Sequence, residues 1–72
     1  MKGHIIIRGD YGLHKPAIQQ IDELKRFDNR SFNYDEYTNM CRVDYFYDNY
    51  DFAELDLDLV KSEGLNITLE EW

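Results

Sequence analysis

Apolar and polar positions alternate in some stretches of the chain and recur at helical spacing in others. His4 to Arg8 is a β-branched run that stops at Gly9, which predicts a buried strand over about residues 3–8, halted by a turn at GDYG. Ile18, Ile21, Leu24 and Phe27 then recur every three residues or so. Pro16 suits a first helical position, and Asp22 stands three and four residues before Lys25 and Arg26, so a helix is predicted over 16–28. Residues 30–39, RSFNYDEYTN, show no stable period and read as a connection. From Met40 to Tyr47, Cys41, Val43, Tyr45 and Tyr47 alternate with Arg42, Asp44 and Phe46, the pattern of a strand with one buried face.

The run DYFYDNYDFAELDLDLV, residues 44–60, admits two readings. As a strand over 53–60, Leu55, Leu57 and Leu59 take one face while Glu54, Asp56 and Asp58 take the other. A loop at Ser62, Glu63 and Gly64 then brings Leu59 opposite Ile67 and Leu57 opposite Leu69 in a last strand over 65–70, and a loop at Asn49, Tyr50 and Asp51 brings Tyr45 opposite Leu55. On the outer face Asp44 meets Asp56. The alternative is a second helix over 52–63, with a capping box in Asp51 and Glu54 and a stop at Gly64. Against it, Asp56 falls inside the apolar arc of Phe52, Leu55, Leu59 and Val60, where a carboxylate is costly. The strand is therefore preferred. The expected fold is α+β, a single domain over 1–72 with a small antiparallel sheet packed on one helix.

Charge adds direction to this pattern. Seventy-two residues allow only a small core, and the formal net charge is −7. Residues 1–30 hold four acids against six bases, whereas residues 31–72 hold eleven acids against only Arg42 and Lys61, so the two parts carry +2 and −9. Such a field repels nucleic acid and anionic membrane and attracts basic protein surfaces. With no apolar run long enough to span a bilayer, no secretory signal and a single cysteine, Cys41, the expected location is the cytoplasm.

Candidate chemistry is sparse. The acidic run lacks the spacing and central glycine of a calcium loop, and His4, His14 and Cys41 form no CxxC or HxxxH pair, so no metal or other cofactor is expected. His14 with Asp10 is the best acid–base pair available. No catalytic constellation emerges, and the chain is not expected to be an enzyme. What remains is a surface. Asp is a poor strand residue, and placing Asp44, Asp56 and Asp58 on one outer face breaks local propensity, as functional positions do. On a strand, same-face carboxylates recur about every 6.6 Å, comparable to the through-space separation of successive phosphates along a nucleic-acid strand.

The expected activity is therefore stoichiometric: an acidic nucleic-acid mimic that occupies the basic groove of a DNA- or RNA-binding protein and binds neither nucleic acid nor membrane itself. The residues expected to carry it are Asp44, Asp48, Asp51, Glu54, Asp56, Asp58 and Glu70, with Tyr37 and Tyr50 as aromatic anchors. In size and charge alone the chain resembles the small acidic inhibitors that bacteriophages make against host restriction or CRISPR nucleases. That resemblance implies action in the host cytoplasm; no motif carries it. The alternative is an acidic regulatory or assembly module, such as one subunit of a small homo-oligomer or an antitoxin-like partner.

Overall fold

Six elements follow one another in the computed structural model, which describes residues 1–72. They are β1 (Gly3–Asp10), α1 (Tyr11–Leu24), β2 (Asn29–Asp35), β3 (Met40–Tyr47), α2 (Tyr50–Val60) and β4 (Ile67–Glu71). The strands form one antiparallel sheet in the order β2-β3-β1-β4. β3 lies between β1 and β2, and β1 lies between β3 and β4. This is the split βαβ, or ferredoxin-like, connectivity, with the core between the sheet and its two helices. The α+β class and the antiparallel sheet agree with the sequence pattern; the connectivity does not.

The alternations in β1 and β3 decide which face is buried. Ile5 and Ile7 of β1 and Cys41, Val43, Tyr45 and Tyr47 of β3 point to the helix side, where they pack with Ala17, Ile18, Ile21, Ala53 and Val60. Burial raises the Cys41 thiol above its usual range. Gly9 makes the passage from β1 to α1 possible. Its φ of +138° is open to glycine, and a Cβ there would sit 2.6 Å from the His14 ring. Asp10 then caps α1, its carboxylate accepting the Leu13 N–H at 2.9 Å. GDYG is thus a strand end and a helix start, and α1 begins five residues before Pro16. At the other end Lys25 adopts the left-handed conformation and stops the helix short of residue 28.

Two further corrections concern β2 and residues 53–60. The stretch read as a connection contains a seven-residue strand, NRSFNYD, paired with β3 from Asn29↔Phe46 to Asp35↔Met40. The expected strand 53–60 is helix α2. β4 pairs with β1 instead, placing Ile67 beside Ile7 and Leu69 beside Ile5, while Tyr45 faces Ile5 and Arg30. Asp44 lies beside Ile6 and Ser31, so the like-charge pair with Asp56 does not exist. The central strand β1 supplies the apolar partners that residues 53–60 were expected to supply.

Candidate protein-binding surface

Helix α2 is initiated by Asn49, whose side chain accepts the Asp51 N–H at 2.9 Å, with Asp51 favourably placed in the positive first turn. The expected Asp51–Glu54 capping box is not the cap. The helix packs closely on β1: a Cβ on Gly3 would lie 2.6 Å from that of Ala53. One stripe, Ala53, Asp56, Leu57 and Val60, turns toward the sheet, with Leu57 only half-buried.

Asp56 is wholly buried, with 0% exposure. Arg26, from the segment after α1, reaches its Oδ1 through Nε at 2.8 Å and through a terminal nitrogen at 2.7 Å, and the Tyr47 hydroxyl donates to Oδ2 at 2.6 Å. Burial, followed by the bond to Asp56, holds the Tyr47 phenol protonated well above its usual range. These charge-assisted bonds offset the desolvation that counted against a helix here.

Asp44 is also buried, at 6%, but on the opposite, open face of the sheet. Arg42 holds both its oxygens, Nε to Oδ2 at 3.0 Å and a terminal nitrogen to Oδ1 at 3.1 Å, and His4 Nε2 lies 2.8 Å from Oδ1. The His4 ring stacks on Phe46, and its Nδ1 faces Glu70 at 3.9 Å. The Arg42 bonds lead in holding the Asp44 carboxyl below its ordinary value of 3.8. A lowered folded-state value means that the unfolded chain binds more protons in acid. Asp44 therefore contributes stability above pH 3.8 that is lost as pH falls through its depressed folded value. Urea midpoints measured across the acid range should fall less steeply below pH 3.8 in Asp44→Asn than in the unchanged protein. Parallel acid limbs would show that the Arg42 and His4 bonds do not act in solution.

The expected single acidic face is therefore divided. Asp44 and Asp56 are engaged within the fold and are not available to a partner. Asp48 and Tyr50 lie at the start of α2, where the Asp48 N–H donates to Asp28 and the Tyr50 N–H to the Met1 carbonyl. Glu70 sits on the open sheet face beside His4. Tyr37, 93% exposed, occupies the tip of the β2–β3 hairpin, toward the sheet edge opposite β4. Asp51, Glu54 and Asp58 do stay together, on one exposed stripe of α2. None of them is in a salt bridge.

The exposure of a second stripe of α2 is not anticipated by the sequence pattern. Phe52, Leu55 and Leu59 are 44%, 51% and 53% exposed, although Leu55 and Leu59 were expected on the buried face. Leu59 borders a groove between the helices lined by Leu13, Pro16, Ala17, Gln20 and Val60. The spacing 52, 55, 59 was the available signal, since it is a helical stripe distinct from 53, 56, 57 and 60.

His14 is buried, with Nδ1 at 2.7 Å from the Asp10 main-chain carbonyl and Nε2 accepting the Asn66 N–H at 2.9 Å, so it ties α1 to the start of β4 and makes no pair with the Asp10 carboxylate. No group of three or more His, Cys, Asp or Glu side chains converges in a way that could hold a metal ion. No helix is long and apolar enough to cross a membrane. No protein family, curated protein or solved structure matches the chain.

Proposed function

We propose that the protein acts by stoichiometric binding, presenting the outer side of α2 to a basic groove on a nucleic-acid-binding protein and so blocking it. The observation that carries this reading is the pair of adjacent exposed stripes on α2, one acidic with no ion pair and one apolar with no place in the core. The acidic stripe, Asp51, Glu54 and Asp58, places three charges within about 10 Å of helix axis. Successive charges lie about 4.5 and 6 Å apart along the axis, against about 3.4 Å per phosphate on one strand of duplex DNA, so the stripe is a sparser version of that row. Phe52, Leu55 and Leu59 supply the apolar contact that a purely electrostatic mimic lacks, in the manner of a helix laid in a groove. Asp44 and Asp56 have no part in it.

The test is a pulldown from lysate with the tagged protein as bait. A DNA- or RNA-binding protein should be recovered, and added nucleic acid or raised salt should release it. Prey that resist both, or prey without nucleic-acid affinity, would count against the mimic. The second reading, a small assembly module, is favoured by a different surface, the free edge of β2.

A further inference from the structure

We infer that two copies of this chain associate through the free edges of β2, forming one continuous antiparallel sheet across a two-fold axis at Phe32. β2 bonds only to β3, so its other side presents unpaired backbone groups to solvent. All seven of its residues are exposed. Sheet edges left to solvent are ordinarily protected by free charged side chains, lysine above all, or by proline, a bulge or shortness. NRSFNYD has no lysine and no proline, its unbroken register with β3 leaves no bulge, and its two charges are engaged within the chain, Arg30 Nε with Asp22 Oδ1 at 3.0 Å and Asp35 Oδ1 with the Tyr37 N–H at 2.9 Å. The other edge, β4, is shorter and closes on Glu70 and Glu71.

The sequence of β2 also complements itself. In the antiparallel register that pairs all seven residues, Phe32 meets Phe32 of the second copy, Arg30 meets Tyr34, Ser31 meets Asn33, and Asn29 meets Asp35. Every cross-strand pair is compatible, aromatic with aromatic, cation with ring, amide with carboxylate, and no like charges face each other. Faces are preserved as well. Arg30, Phe32 and Tyr34 lie opposite Tyr45, Val43 and Cys41, so all three belong to the helix side of the sheet. There Phe32 and Tyr34 remain 39% and 47% exposed, touched by the Tyr11 ring at centroid distances of 5.9 and 5.3 Å. The Arg30 guanidinium, held by Asp22 Oδ1 at 3.0 Å, lies 5.2 Å from the Phe32 ring centroid and 5.9 Å from that of Tyr45, so a fixed cation already sits among aromatic rings at this edge. A second copy covers these rings and satisfies the edge in one step. α2 packs over β1 and β4, away from β2, so the surface proposed above stays open in the pair, and the two ideas stand or fall separately.

Sedimentation of the unchanged protein from micromolar to millimolar concentration should show monomer giving way to dimer. Amide hydrogens of residues 29–35 should gain protection over the same range. Phe32→Lys places two ammonium groups on the axis and should raise the dissociation constant at least about tenfold, as should Phe32→Glu. An equimolar mixture of the two variants should recover the dimer, which a merely misfolded variant cannot do. A protein that stays monomeric throughout, a dimer whose β2 amides exchange as in the monomer, or a mixture that fails to associate would each overturn the pairing.

Discussion

Replacing Asp56 with alanine should cost about 3 kcal/mol, the low end of what removing one partner from a buried ion pair costs. The low end applies because the Arg26 side chain is 31% exposed and can turn toward water once its carboxylate is gone. The Tyr47 hydroxyl cannot, since Tyr47 is 1% exposed and would be left with a donor and no acceptor. Loss of the carboxylate group also leaves a void beneath α2. A chain of this length has total stability of about 4–11 kcal/mol on the usual scale per residue, so the loss is a large share of it. Asp58→Ala, two residues along the same helix but outside the core, should stay within about 0.5 kcal/mol of the unchanged protein. Urea denaturation followed by circular dichroism compares the two directly. Equal midpoints would show that the Arg26–Asp56–Tyr47 network does not hold α2 to the sheet.

Changing Glu54 and Asp58 together to lysine should leave the fold in place and weaken partner binding by about a hundredfold, some 2.8 kcal/mol. Both side chains are exposed and outside any ion pair, so reversing them opens no cavity and strands no buried charge. Asp51 is kept, because a cation in the first turn of α2 would oppose the helix dipole and confuse stability with binding. Asp56 is kept for the stronger reason that a lysine there would face Arg26 inside the core. The loss should be greatest at low salt, where screening is weakest, and should shrink as salt rises. A double variant that folds and binds its partner as tightly as before would reduce the acidic stripe to a solvated surface.

Local pattern determined a good deal of this protein. β1 and β3 were legible because strand periodicity and a continuous apolar set agree at Ile5, Ile7, Val43, Tyr45 and Tyr47, and burial of that set is the dominant favourable term whatever the strands pair with. The acidity of residues 31–72 was likewise plain, as was the grouping of Glu54 and Asp58 on one side of their element, which holds for either strand or helix. The alternation of Arg30, Phe32 and Tyr34 was present too, but with every β2 side chain exposed it lacked the apolar weight that marks a strand.

Tertiary structure decided the rest. Whether residues 53–60 are strand or helix turned on Asp56, whose place in an apolar arc is prohibitive alone and acceptable beside Arg26 and Tyr47, partners 30 and 9 residues away. Asp44 left the surface for the same reason, with Arg42 two residues away and His4 brought alongside from 40 residues away by β1. A residue's own chemistry states what burying its charge costs; only the assembled fold states which long-range neighbour offsets that cost, and hence which carboxylates stay exposed to meet a partner.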